Sequence, residues 1–228
     1  MFITFKRKTI FVVLLCVLLV SGFCATYFTL KVSTTPKPQF SIVIDAGHGG
    51  IDGGAVGKNT GIDESHLNLD YALTLQKLCQ DFGISVTMTR SDMNGLYSVT
   101  AGNKKRSEME KRRKIIEDSK ADLVVSIHMN SFPLPSARGS QVFYADGAEK
   151  GKVLADYVQG ELYKTIPKSR KTSSVGDYYI LNCTDKPSII VECGFLSNPE
   201  EEALLVTEEH RNTLCYSILA GIMKYYDM

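Results

Sequence analysis

The chain has 228 residues, with 26 basic and 25 acidic side chains and six cysteines. Five of the bases (Lys6, Arg7, Lys8, Lys31, Lys37) lie in the first 40 residues, which hold no acid, so residues 41–228 carry 21 basic against 25 acidic groups, a net of −4. That balance gives no support to nucleic-acid binding. The cysteines are too scattered for a disulfide framework and contain no Cys-x-x-Cys pair to hold zinc through thiolates.

Behind Lys6-Arg7-Lys8 runs Thr9–Leu30, 22 residues without a charge. The length suits a membrane-crossing helix, and the basic flank favours a cytoplasmic N-terminus. A cleaved signal peptide is the alternative, offered by Ser21, Gly22 and Ala25 but opposed by Phe23, which also argues against a lipid-modified Cys24. The predicted organisation is a signal anchor or signal peptide over 1–30, a linker over 31–40 with Pro36 and Pro38, and an exported catalytic domain over 41–228.

Phe40–Ile44 reads as a buried strand, followed by a glycine-rich loop from Gly47 to Gly61. Glu64 opens a helix with Leu67, Leu75, Leu78 and Phe82 on one side and Gly83 as its stop, and Asp63 is placed as its N-cap. Ile84–Thr89 is a second strand, Ser91–Asn103 is irregular, and Lys104–Lys120 is a highly charged helix resting on Met109, Ile115 and Ile116. Asp122–Ile127 and Gln141–Ala145 are further strands, and Gly147–Lys164 returns to helical spacing. Pro167–Gly176 reads as a basic surface loop, Asp177–Asn182 and Pro187–Glu192 as the last strands, and Pro199–Leu205 and Glu208–Tyr226 as closing helices. Strands alternating with helices predict an α/β fold: one three-layer domain with a mostly parallel twisted sheet of about six strands and helices on both faces.

Three strand ends turn polar: Asp45-Ala46-Gly47-His48-Gly49-Gly50, Ser126-Ile127-His128-Met129-Asn130-Ser131 and Val191-Glu192-Cys193-Gly194-Phe195. Ligands of open α/β sheets bind outside the carboxyl ends of the strands. His48 and His128 delivered there, with Glu64 at a helix start, make a set that suits zinc, with Asp45 placed to orient His48. Each has an ordinary reading as well. A loop histidine is usually idle, an acid at a helix start complements the macrodipole, and His128 fits a satisfied core position. Glu192 ends an apolar strand, where a carboxylate is paired, raised in pKa or near a metal. Cys193 beside it fits a buried thiol better than a nucleophile.

Together these segments, with Val-Ile-Asp-Ala-Gly-His-Gly-Gly, the Glu after Gly-Ile-Asp, Ala-Asp-Leu-Val-Val-Ser-Ile-His-Met-Asn-Ser and Ile-Val-Glu-Cys-Gly-Phe-Leu-Ser-Asn in that order, resemble the zinc-dependent N-acetylmuramoyl-L-alanine amidases from about Ser41 onward. The resemblance implies one Zn2+ held by His48, Glu64 and His128, and Glu192 as the catalytic carboxylate. It implies hydrolysis of the amide joining N-acetylmuramic acid to the L-alanine of the peptidoglycan stem peptide. Arg106, Arg112 and Asn130 are candidate substrate contacts, guanidinium groups suiting the stem's carboxylates. Both imidazoles bind metal only when neutral, so metal affinity is expected to fall below about pH 6. The short form is most similar to the sporulation- and germination-linked members that process spore cortex toward muramic-δ-lactam. That similarity implies action outside the cytoplasm, in the space around the developing spore, with an exported accessory protein as partner. The competing readings are a stem-peptide zinc peptidase, a silent peptidoglycan-binding protein and a membrane-tethered structural protein.

Overall fold

A computed structural model describes the backbone of residues 7–32 and 40–227 and the side chains of residues 8, 11–23 and 40–227. It divides into two compact units, Met1–Lys37 and Pro38–Met228. The first holds α1 (Arg7–Val32), on which the expected anchor falls. The side chains of residues 24–32 and the whole of 33–39, most of the expected linker, lie outside the described residues. Among the described residues no helix is long and apolar enough to cross a membrane.

The second unit runs β1 (Ser41–Ala46), α2 (Glu64–Asp81), β2 (Ser85–Met88), α3 (Lys104–Asp118), β3 (Leu123–Asn130), β4 (Gln141–Tyr144), α4 (Glu149–Thr165), β5 (Ser174–Val175), α5 (Tyr179–Asn182), β6 (Ser188–Phe195), α6 (Pro199–Leu205) and α7 (Glu208–Tyr226). The six strands form one sheet in the order β2-β1-β3-β6-β4-β5. β2, β1, β3 and β6 are parallel, and β4 joins β6 antiparallel. Long crossovers carrying helices are what parallel pairing demands.

Alternation along the central strands sorts their side chains onto two faces. Ile42, Ile44, Leu123, Val125, Ile127, Ile189 and Val191 enter a large core with apolar residues of α2, α4 and α7. Val43, Val124 and Ile190 face the other way, toward Ile116 of α3 and Ile180 and Leu181 of α5. Toward the C-terminal ends of the strands this second face changes character. Asp45, Ser126, His128 and Glu192 continue its parity, so the polar groups stand in one row beyond the smaller core.

The expected strand over Asp177–Asn182 is corrected: its C-terminal part is the single-turn helix α5, and the strand beside β4 is Ser174–Val175, inside the expected loop. The run Tyr178-Tyr179-Ile180-Leu181 is β-prone, but too short for periodicity to decide. Asn182 Nδ2 donates to Asp177 Oδ1 and to the Tyr178 carbonyl, closing a turn that sends Ile180 and Leu181 into the core. β3 also runs past Ile127 to Asn130, which puts His128 within the strand.

Candidate metal centre

His48 follows β1 in a left-handed backbone conformation, φ 59°. Such a conformation is uncommon outside glycine and persists when surroundings enforce it. Two buried guanidinium groups grip this turn through its carbonyls. Arg90 donates from Nε to Ala46 O at 2.9 Å and from a terminal nitrogen to Gly47 O at 2.8 Å. Arg112 donates to Ala46 O at 2.8 Å and to His48 O at 2.5 Å. A Cβ on Gly47 would collide with the imidazole of His128, so the bare backbone is what lets the β1 turn and the β3 side chain approach.

Glu64 enters as the first residue of α2. Its backbone N–H donates to Ala55 O at 2.7 Å, and Ala55 N–H returns a bond to Glu64 Oε2 at 2.9 Å. Asp63 does occupy the N-cap position, but its side chain makes no capping bond. Glu64 Oε1 lies 2.9 Å from His128 Nδ1 and 3.3 Å from His48 Nε2, and it accepts from Asn68 Nδ2 at 3.1 Å and Met129 N at 3.2 Å. One ligand atom from each of His48, Glu64 and His128 falls within 4.8 Å of the others. The rings meet edge to face, with centroids 5.0 Å apart.

The local field favours a cation. Burial by itself would raise the Glu64 carboxyl, but His128 and His48 hold it well below the usual carboxylate range. Burial would lower His48, but Glu64 and then Asp52 reverse this and push it up to about 9, so a metal here competes with the His48 proton at higher pH than the expected value of about 6. Asp52 Oδ1 is 3.0 Å from His48 Nδ1 yet off the line of a ring hydrogen bond, leaving that nitrogen without an aligned partner among the described residues. A charge contact needs no ring-plane alignment, so Asp52 still acts on the His48 ring. Two imidazoles and a buried carboxylate (Glu64 is 4% exposed) suit a borderline divalent ion such as zinc.

Glu192 stands beside this cluster. β3 and β6 pair His128 with Glu192 in register, so the two side chains leave the sheet together on the same face. Glu192 Oε2 is buried with no hydrogen-bond partner among the described residues. Burial pushes the carboxyl up to about 7, with Glu64 adding to the rise and the two histidines opposing it. Cys193 points to the opposite face, where burial holds its thiol well above the ordinary value.

A cavity of about 470 Å3 opens over both imidazoles, and Tyr97, Lys104, Lys105, Tyr178, Tyr179 and Ile180 are among the residues that line it. Of the candidate substrate contacts, Arg112 borders it, but both terminal nitrogens are fully engaged by Asp45, Ala46 O, His48 O and Glu108. Arg106 is exposed, pairs with Glu110 at 2.8 Å and does not line the cavity. Asn130 does not line it either, and its carbonyl accepts from Leu196 N at 2.8 Å. Asp45 does not orient His48 as expected: it bonds Ser126, Thr89 and Arg112, and Asp52 is the acid beside the ring. Arg90 is a further residue of the centre, and its signal in the sequence is a charged residue that closes the second strand just before an irregular segment.

The N-acetylmuramoyl-L-alanine amidase family model matches residues 42–224. The germination-specific N-acetylmuramoyl-L-alanine amidase of Bacillus subtilis (strain 168) is 35% identical over 189 residues, which cover 81% of this chain and 79% of the relative. Among solved structures, the CwlD amidase from Clostridioides difficile, determined in complex with the GerS lipoprotein, superposes with a TM-score of 0.79 at 35% identity, over 83% of this chain and 99% of that one. The catalytic domain of CwlV, an N-acetylmuramoyl-L-alanine amidase from Bacillus (Paenibacillus) polymyxa var. colistinus, gives 0.74 at 31% identity over 83% and 99%. Matched across its whole sheet and through to its last helix, the chain belongs to the N-acetylmuramoyl-L-alanine amidase family.

Proposed function

We propose that this amidase holds Zn2+ with His48, Glu64 and His128 and moves the reaction's proton with Glu192. The observation that carries the reading is the unpartnered, buried Glu192 carboxylate oxygen set in register beside His128 at the edge of a three-donor cluster. A bound zinc would supply Lewis-acid polarisation of the scissile carbonyl and of the attacking water. Glu192, with its pKa near 7, takes the water's proton and returns it to the departing amine of L-alanine. The Arg90–Arg112 grip fixes the His48 turn, and the engaged Glu64 keeps both imidazoles aimed at one point. No covalent enzyme intermediate is needed.

The biological setting belongs to the same proposal: hydrolysis outside the cytoplasm, on spore cortex, leading toward muramic-δ-lactam. Its support is the likeness to the germination-specific relative, and the uncharged Thr9–Leu30 run behind three basic residues as an export or anchoring signal. The lipoprotein complex of the CwlD amidase supports an exported accessory partner here too.

Purified sacculi of vegetative and cortex type, digested by the full chain with and without added zinc, provide the test. Mass spectrometry is expected to find free stem peptides beginning with L-alanine, absent with chelator and with Glu192→Gln. Cuts elsewhere in the stem would replace this reading with a peptidase. An absence of product from a zinc-loaded chain supplied with candidate exported partners would overturn the catalytic reading.

A further inference from the structure

Helix α3 carries seven basic residues in its first eleven positions, Lys104 to Lys114. Four of them have acidic partners: Arg106 with Glu110, Arg112 with Glu108 and Asp45, Arg113 with Glu117, and Lys114 with Asp118. Lys104, Lys105 and Lys111 have none within ion-pair distance among the described residues. Two of those three, Lys104 and Lys105, line the cavity that opens over His48 and His128. Lys111 instead borders a shallow surface groove with Ser98 and Ser107. Lys104 lies over the ring of Tyr97, its nitrogen 5.4 Å from the centroid, which keeps that side chain against the cavity wall.

A first helical turn is also where lysines are least favoured, since they oppose the macrodipole. α3 has no acid there to offset them. Local rules broken without compensation tend to mark functional positions. Tyr178 and Tyr179 also line the cavity, and the carboxylates that line it among the described residues, Asp45, Asp52 and Glu108, are already engaged. Asp45 and Glu108 bind Arg112, and Asp52 sits against His48, with the Lys105 charge acting on it from beyond ion-pair distance.

We propose that Lys104 and Lys105 form a subsite for a free carboxylate of the stem peptide, the anionic portion of substrate that continues past L-alanine. The proposal rests on the amidase reading above. It transfers to these lysines the recognition expected of Arg106 and Arg112. A cation with no acid at ion-pair distance, at the rim of a low-dielectric cleft, attracts an anion more strongly than one on an open surface, and salt weakens the attraction.

The test uses two N-acetylmuramoyl-L-alanyl peptides that differ only in whether the residue after L-alanine bears a free carboxylate or its carboxamide. Turnover is measured with the zinc-loaded full chain. Binding is measured separately on the Glu192→Gln chain, so that it does not depend on catalysis. The carboxylate peptide is expected to be preferred about fivefold in both readouts, in line with partly exposed ion pairs. The preference should shrink with added salt. Lys104→Gln/Lys105→Gln is expected to bring the ratio close to one, and Lys111→Gln, an equal charge change outside the cavity, to leave it intact. A ratio that survives in the double variant, or that is one from the start, overturns the subsite. If neither peptide is cleaved even with candidate exported partners supplied, the catalytic reading fails, while the binding ratios still decide the lysines.

Discussion

A carboxylate at the end of a fully buried strand needs a reason to be there, and at Glu192 the usual reasons are missing. No cation pairs with it, and Oε2 has no hydrogen-bond partner among the described residues. Its neighbour in register, His128, is one of three residues whose ligand atoms converge, but Glu192 itself is outside that set. This separation predicts two distinct phenotypes. Glu192→Gln is expected to lower kcat by about 10²–10⁴, the range for a positioned proton-transfer group, while the chain still binds one equivalent of zinc. Glu64→Gln, by contrast, removes the ionised oxygen that both imidazoles face and should abolish stoichiometric binding. Metal analysis after gel filtration, run beside activity, separates them. Loss of metal in Glu192→Gln would make that residue a ligand and leave the proton transfer without a group.

The turn between β1 and α2 shows how much of the centre is held from behind. Arg90 and Arg112 supply four hydrogen bonds to the carbonyls of Ala46, Gly47 and His48. Arg112→Lys keeps the charge but loses the fork that reaches Asp45, Glu108 and the turn together. It is expected to cost about 2–4 kcal/mol in denaturant unfolding, on the scale of damaging a buried ion pair. Gly47→Ala should act differently, pushing the His128 ring aside and weakening zinc affinity by tenfold or more with a smaller loss of stability. Chelator competition measures the affinity, and an unchanged affinity would show that the β3 side chain has room to retreat. These supports explain what could and could not be read from sequence. The three polar strand ends were legible because each departs from an apolar or glycine-rich pattern at one position, whereas Glu64 follows Asp63 at a helix start, where an acid is ordinary, and only the family resemblance singled it out. The roles of Arg90, Arg112 and Asp52 were not, because long side chains choose partners in space. Periodicity also failed at α5, where four apolar residues fit a strand or a turn equally well and Asn182 decides the matter by bonding backwards.

Asp45 ties the larger assembly together. Its carboxylate receives Arg112 from α3, Ser126 Oγ from β3 at 2.6 Å and Thr89 Oγ1 from the end of β2 at 2.7 Å, so three elements meet on one buried charge carried by β1. Burial by itself would raise this carboxyl, but Arg112, then Ser126 and Thr89, bring it down from 3.8 to about 2. A group that holds its proton more weakly when folded contributes stability above its unfolded pKa and loses it as pH falls toward its folded one. The contribution is therefore complete above about pH 4 and disappears toward pH 2, and the shift corresponds to about 2 kcal/mol. Urea unfolding at pH 5, 4, 3 and 2.5 should show that decline, with chelator present throughout so that release of metal from the histidines does not enter. Asp45→Asn is expected to be less stable at pH 5, since Arg112 loses its charge partner, and to vary less across the same interval. If the native chain proved as stable at pH 2.5 as at pH 5, the charge joining β1, β2, β3 and α3 would not be what holds the cleft wall to the sheet. The packing of Val43, Val124 and Ile190 against Ile116 would then have to do so alone.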